Sequence, residues 1–288
     1  MTPTFDLQAH SVHSDGVLAA ADVVGHARAA GVELLALTDH DTVGGVEEAL
    51  GAGAREGIAV VPAAEISAVH DTHEDLHILG YGIDHRDPGL LGALEAFRED
   101  RAGRASRMTA ALRELGLEVD EAPLERRVAA GEPVGRPHLA QAVFGHPANR
   151  ERLAAEGLAD PTQVLVAYLI PGAPAYRGRT HPTVPEAIET IHAAGGVAVW
   201  AHPFWDLAEE SEVVALLGAF AAEGLDGVEA FYPSHDRRQT DVLADAAEAR
   251  EMLTTGSADF HGPEHPRFSA FRAFELHGRT PRLGPIAR

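Results

Sequence analysis

Imidazoles and carboxylates follow one apolar run after another along this chain. The stretch DLQAHSVHSDG brings His10, His13 and Asp15, ELLALTDHD brings Asp39, His40 and Asp41, and AVVPAAE ends in Glu65. Further on, DLHILGYG carries His77, GVAVWAHP supplies His202, and MLTTGSADFHG holds Asp259 and His261. One such residue alone would be an ordinary polar side chain. A cluster of uncompensated carboxylates and imidazoles in a cleft would be costly, and divalent metal is the simplest compensation. The sequence contains no cysteine, so any metal must be held by His and oxygen donors. Such mixed donor sets suit Zn, Mn or Fe. Neighbouring metals lower the pKa of a shared water and neutralise phosphoryl oxygens, so hydrolysis by metal-bound hydroxide is the expected reaction class. Ser14, Ser67 and Ser257 offer no better nucleophile, because no G-x-S-x-G elbow is present.

Short β-rich runs alternate with longer Ala-rich amphipathic segments, which is the pattern of parallel α/β structure. The pattern predicts strands near 4–10, 33–38, 58–63, 75–82, 196–201, 226–232 and 252–257. It predicts helices over 18–30, 43–56, 88–115, 184–194, 208–223 and 236–250, with Gly31, Gly57, Gly116, Gly195 and Gly224 at their C-terminal stops. In a parallel barrel the carboxyl ends of all strands share one face, which would gather five or more imidazoles and three carboxylates in one mouth. Residues 99–180 break the alternation with a long Arg/Glu helix, polar helical pieces and the loop IPGAPAYRGRTHP. The chain therefore reads as a barrel in two parts, 1–98 and 181–288, with a helical insertion at 99–180 over the active site. His26, His146, His192 and His277 follow helix or loop patterns and are expected to be ordinary polar residues.

The chain of 288 residues carries a formal charge of −21, and its basic residues are all arginine. That balance argues against an extended nucleic-acid surface, which needs clustered positive charge. It leaves room for a small phosphorylated substrate beside bound cations. No stretch is apolar enough to span a bilayer, and the first residues lack the basic-then-apolar pattern of a signal peptide. The cytoplasm is the expected location.

These motifs, in this order, resemble the PHP (polymerase and histidinol phosphatase) family. The likeness rests on DLQAHSVHSDG, LALTDHDT, AAEIS, HILGYG, the GRPH of the insertion, GGVAVWAHP and SADFHG, and so covers most of the chain. Nearest in layout are the stand-alone phosphoesterases of that family, which include nucleoside 3′,5′-bisphosphate phosphatases and 5′→3′ exoribonucleases acting on short RNA. The resemblance implies a distorted seven-stranded β/α (TIM-like) barrel with two or three divalent ions, Mn, Zn, Fe or Mg. Carried over by motif, residue 8, His10, Glu65 and Asp259 would hold the first metal. Glu65 would bridge to a second held by His77 and His202, and Asp15, His40 and His261 would hold the third. The expected activity is hydrolysis of a small phosphate ester, such as a nucleotide 3′-phosphate or the 5′ end of a short oligonucleotide. The alternatives are a histidinol-phosphate phosphatase and a catalytically silent metal-binding module.

Two departures from the family pattern stand out. The first motif usually reads DLHxH, and here residue 8 is Gln8. Residues two apart on a strand face the same side, so Gln8 sits where a second imidazole would join His10. A glutamine carbonyl favours harder ions and forgoes imidazole's bonding to Zn and Fe. The first site could hold Mn or Mg weakly, stay empty, or recruit His13. The second departure is the loop PGAPAY, where Pro171 and Ala173 replace expected basic residues. Arg136 and His138 of the GRPH element are expected phosphate or substrate contacts, and Arg177, Arg179 or His181 could replace the missing charge. Glu229, Tyr232, His235 and Asp236, after the sixth strand, are expected at the pocket edge. Asp39 and Asp41 are expected to orient His40 from behind, or Asp41 to cap the next helix.

Overall fold

The structure, a computed structural model, describes residues 3–71, 73–129, 134–178 and 181–287. Arg179 lies outside the described residues. The chain divides into two compact units, residues 1–95 with 181–288, and residues 96–180.

Chain order through the start of the first unit is β1 Phe5–Asp6, α1 Ala20–Ala29, β2 Leu34–Leu37, α2 Val46–Glu56, β3 Ala59–His70 and β4 His73–Tyr81. Helix α3, Pro88–Glu114, then leads into the second unit, which holds α4 Glu121–Ala129, α5 Arg136–Gly145, α6 Arg150–Ala155 and α7 Pro161–Tyr168. The first unit resumes with α8 Val184–Ala193, β5 Val197–Trp200, α9 Pro203–Asp206, α10 Glu210–Ala222, β6 Gly227–Phe231, α11 Arg237–Glu248 and β7 Leu253–Gly256. The expected helices of the first unit match to within three residues at each end. Their termini follow local chemistry: Thr183 and Glu186 form a capping box on α8, and Asp236 caps α11 through the Gln239 N–H. Gly57 closes α2 with φ 69°, and the other four glycines expected at helix ends share that left-handed backbone.

The seven strands form one sheet in sequence order. It is nearly closed, because Leu7 N–H reaches the Gly256 carbonyl at 3.3 Å and Ala9 bridges Phe260 in parallel. The expectation of a wholly parallel barrel needs correcting. Strand β4 runs antiparallel to both β3 and β5. Only two residues separate His70 from His73, far too few for the crossover that a parallel pair requires. Strand β3 also runs seven residues past its expected end, because Glu65 and Ser67 are buried polar groups that interrupt its apolar run. Strand β1 is correspondingly shorter than expected, and past Asp6 the chain is held by single bonds, such as His10 N–H to the Phe260 carbonyl at 2.8 Å.

Around the first strands, Val23, Val24 and Ala27 of α1 pack with Leu35 and Leu37 of β2, while Phe260 and Phe271 stack at 4.2 Å. The second unit has its own core, including Leu112, Leu139, Val143, Leu153 and Val164. Buried Asn149 pins it by donating to the carbonyls of Val143 and Glu118, both at 2.7 Å, and accepting from Glu118 N–H. No helix among the described residues is long and apolar enough to cross a membrane.

One buried acid ties the first strand to the last. Asp6 accepts from Ala258 N–H at 2.8 Å and Arg272 N–H at 2.7 Å, and burial pushes its carboxyl up to about 7. Removing it leaves the buried Ala258 N–H and the half-buried Arg272 N–H without an acceptor. Asp6→Ala is expected to lower unfolding free energy by about 2–4 kcal/mol in urea titrations; a loss within error would show that these bonds close nothing.

Candidate metal centre

Glu65 lies at the centre of the barrel mouth, fully buried, on β3 opposite Leu79 of β4. Its Oε1 is 2.8 Å from His77 Nδ1 and 3.4 Å from His202 Nε2. Its Oε2 is 3.1 Å from His10 Nε2 and 3.6 Å from His40 Nδ1. His10 Nε2 also lies 3.1 Å from Asp259 Oδ1. A second carboxylate, Asp15, gathers the outer donors: His10 Nδ1 at 3.4 Å, and His40 Nε2 and His261 Nε2 each at 3.5 Å. The eight side chains expected as ligands are thus brought together.

The reversed strand explains how His77 arrives. Because β4 enters from the rim where its neighbours end, its early residues lie at the mouth. Ala201 N–H donates to the His77 carbonyl at 2.9 Å, which sets His77 beside His202. His202 and Asp259 adopt positive φ, 28° and 54°. Backbone held in so unfavourable a region is over-determined by its surroundings, as is common where a side chain must be aimed.

Donors in this arrangement fit divalent ions. Those of His10, Asp15, His40 and His261 lie within 4.8 Å of one another, as do those of His40, Glu65 and His77. His10 Nε2, His40 Nδ1 and Asp259 Oδ1 are buried without a hydrogen-bond partner, although polar atoms crowd them. Buried polar atoms seldom go unpaired, and coordination would satisfy all three.

Electrostatics point the same way. Burial alone would raise the Glu65 carboxyl, but His40, His77, His10 and His202 hold it well below the carboxylate range. Burial likewise opposes charge on His10, His77 and His202, yet Asp259, Glu65 and Asp206 hold all three above an ordinary imidazole. His40 goes the other way, pulled down to about 4 chiefly by burial, with His10 and His77 adding to it. Protons on imidazole therefore do in the metal-free protein what cations would do in the loaded one.

Gln8 is buried and committed on both sides of its amide. Its Nε2 donates to Glu65 Oε2 at 2.9 Å, and Ser257 Oγ lies 3.2 Å from its Oε1. Ser257 Oγ is also 2.5 Å from Glu229 Oε1. A hydroxyl has one proton to give, so both contacts hold only if Glu229 supplies a proton of its own. Burial pushes the Glu229 carboxyl up to about 8, which keeps that proton in place at neutral pH. The order is then Glu229 to Ser257 to Gln8 to Glu65, each donating to the next. His13 is exposed and packs on Gly44 and Gly45, where an added Cβ at Gly44 would meet its ring at 2.9 Å; it joins neither donor group.

Other expected residues take supporting places. Asp39 accepts from the hydroxyls of Ser11 and Ser14, both at 2.7 Å, and fixes the turn carrying His10 and Asp15. Asp41 does not cap α2, whose N-cap is Gly45; its Oδ1 accepts from Ser67 N–H at 2.9 Å. Asp236 is a helix cap, Glu229 lies beneath the site and accepts from His202 N–H, and His235 is buried on the Ala230 carbonyl. Tyr232 reaches the site, donating to Asp259 Oδ2 at 2.7 Å. Sequence reasoning missed Asp206, 3.6 Å from His202 Nδ1; its position four residues after His202 was the available signal. Arg136, His138 and Arg177 belong to the second unit. There His138 Nδ1 accepts from Gly135 N–H at 3.0 Å, and Arg177 donates to the Pro174 and Tyr176 carbonyls. His181 pairs with Glu186 at 3.0 Å.

A β/α barrel that spends its mouth on imidazoles and carboxylates around one buried glutamate defines a metal-dependent hydrolase. Comparison with known proteins narrows the class, although no protein-family model matches the chain. The chain is 34% identical over 283 residues to a 3′,5′-nucleoside bisphosphate phosphatase of Chromobacterium violaceum, covering 98% of this chain and 93% of that protein. It is 34% identical over 263 residues to a 5′-3′ exoribonuclease of Haemophilus influenzae, covering 91% and 92%. Among solved structures, a C. violaceum protein described as an amidohydrolase superposes with TM-score 0.71 at 33% identity, covering 91% of this chain and 89% of that one. A metal-dependent phosphoesterase from Bifidobacterium adolescentis gives 0.68 at 27% identity, covering 93% and 91%. The chain belongs to the PHP family of metal-dependent phosphoesterases, hydrolases of small phosphate esters.

Ligands must be neutral imidazoles, whereas Asp259, Glu65 and Asp206 hold the imidazoles of His10, His77 and His202 above the ordinary value in the metal-free protein. Metal uptake at pH 7 is therefore expected to release protons, and affinity to weaken as pH falls. Stopped-flow mixing of metal-free protein with MnCl2 and an indicator dye would read this directly. Uptake without proton release would contradict the assignment.

Proposed function

We propose that the phosphate ester is carried by a nucleotide, either as a 3′-phosphate or at the 5′ end of a short oligonucleotide. The observation that carries this reading is the pair of relatives named for nucleotide and RNA substrates, each matched over more than nine-tenths of its length. The net charge of −21 limits the oligonucleotide to a short one, since a long strand needs a basic track that the sequence does not supply.

The proposed ligands are His10, Asp15, His40, Glu65, His77, His202, Asp259 and His261. Divalent ions bound there supply Lewis-acid stabilisation of phosphoryl oxygens and an activated water. Glu65 joins the donor groups, with one oxygen facing His77 and His202 and the other facing His10. Tyr232 holds Asp259 Oδ2, leaving Oδ1 toward His10. Glu229 holds the His202 backbone. Because its amide is bonded at both ends, Gln8 is read as a hydrogen-bond partner of Glu65, which leaves His10, Glu65 and Asp259 as an incomplete first site. The chain should then hold two tightly bound ions, and the imidazole-rich set favours Mn, Zn or Fe over Mg.

Two experiments test the reading. Product profiling of Mn-loaded protein would compare adenosine 3′,5′-bisphosphate, a short 5′-phosphorylated RNA and histidinol phosphate. Turnover of either nucleotide substrate in preference to histidinol phosphate is expected, with His40→Ala and Asp259→Ala each losing more than the roughly 100-fold that an outer hydrogen-bond partner can cost. Preference for histidinol phosphate, or variants that keep their activity, would refute it.

Metal content by mass spectrometry is expected to give close to two ions per chain in the natural protein and close to three in Gln8→His. Three ions in both would make Gln8 a ligand after all.

A further inference from the structure

Beside the metal centre runs a strip of aromatic rings that no ligand role explains. It begins at the proposed ligands themselves. The Tyr232 ring lies 5.2 Å from His202, and its hydroxyl holds Asp259. His265 stacks on His261 at 5.1 Å, and Phe268 stacks on His265 at 5.2 Å with only 11° between planes. Trp205 closes the strip at 5.5 Å from Phe268 and 6.3 Å from Tyr232, with the Arg267 guanidinium 5.4 Å from its ring centre.

Trp205 is 43% exposed, and Phe268 and His265 are only partly buried. An indole left so open at the lip of a charged site does not contribute its full apolar area to the fold. The strip is also rigidly held. His265 Nδ1 accepts from Phe268 N–H at 2.9 Å, His261 N–H donates to the Phe268 carbonyl at 2.9 Å, and Trp205 N–H donates to the His202 carbonyl at 2.8 Å. Ordered, half-open rings are what a stacking surface requires, because little freedom is lost when a flat ligand arrives.

We propose that Trp205, Phe268 and His265 form the stacking site for the base of a nucleotide whose phosphate is held at the metal centre. The inference rests on the nucleotide reading above and deepens it. Stacking tolerates every base, since each has a π-face. Selection would then be for the presence of a base more than for its identity. Arg267 adds a planar cation at the same edge, suited to stack on a base or to pair with a second phosphate. Trp205 follows the ligand His202 by three residues, while His265 and Phe268 follow His261 by four and seven. The two loops that deliver metal ligands therefore also deliver the surface for the leaving nucleoside.

The test uses Mn-loaded protein, with adenosine 3′,5′-bisphosphate as the nucleotide and ribose 5-phosphate as an ester without a base. The readout is the ratio of kcat/KM for the two substrates. Trp205→Ala and Phe268→Ala are each expected to lower that ratio about tenfold or more, mainly through the KM of the nucleotide, and Trp205→Phe to retain most of it. Metal content of each variant, measured alongside, confirms that the centre still assembles. Adenosine monophosphate should quench the fluorescence of exposed Trp205, and the quench should vanish in Trp205→Phe, where buried Trp200 is the remaining indole. An unchanged ratio in both alanine variants, with the nucleotide still hydrolysed, overturns the stacking site and leaves the nucleotide reading standing. Wild-type turnover of ribose 5-phosphate but not of the nucleotide overturns both.

Discussion

Everything in the barrel mouth is arranged around the charge on Glu65. A carboxylate buried to zero exposure would ordinarily take up a proton, and this one is kept ionised by the imidazoles of His10, His40, His77 and His202. Those imidazoles come from four different strand ends or strands, so the charge cannot be satisfied unless the whole sheet is in register. The same constraint runs outward. Asp259 and Asp15 are held by the imidazoles that Glu65 gathers, and Asp39 and Tyr232 hold the segments that carry them. Divalent ions held among these donors would take the place of the protons, because a cation there meets the same negative charge.

The reversal of β4 belongs to this arrangement. A seventh parallel strand would have presented its C-terminal end to the mouth, with His77 well below it. Run backwards, β4 brings His77 level with Ser67 and next to Ala201, within 2.8 Å of Glu65. The hairpin needs only a short turn, and its extension past the barrel stays paired as far as His70 and His73, with one register shift between Ala68 and His70.

Strand ends and helix stops were legible because each is marked by a local signal, an apolar run followed by His or Asp, or a glycine where φ turns positive. What the sequence hid has a common physical cause. Glu65 and Ser67 sit in the interior of β3 as buried polar residues, so the apolar alternation that marks a strand fails where the site needs a ligand. That cut β3 short on paper and concealed the hairpin. The aromatic strip was hidden differently: Trp205 and Phe268 are 63 residues apart, and only the barrel's closure makes them neighbours. Asp41 and Asp236 show the limit of residue type as a guide, since both lie beside the site in sequence, yet one binds the Ser67 backbone and the other caps a helix.

Gln8 brings these threads together. An imidazole at this position would add positive charge or a nitrogen donor beside Glu65; an amide adds no charge, and its carbonyl oxygen needs a partner in the interior of the barrel. Ser257 and Glu229 do that, but only with a proton retained on Glu229, which its burial enforces. The resulting direction of donation leaves the amide nitrogen toward Glu65 and the carbonyl away from it. Rotating Gln8 to offer its carbonyl to a cation would turn its N–H groups toward the Ser257 oxygen and cost Glu65 a donor. The glutamine and the glutamate below it thus act as one unit, which sets a fixed hydrogen bond on the carboxylate that the site most needs to hold.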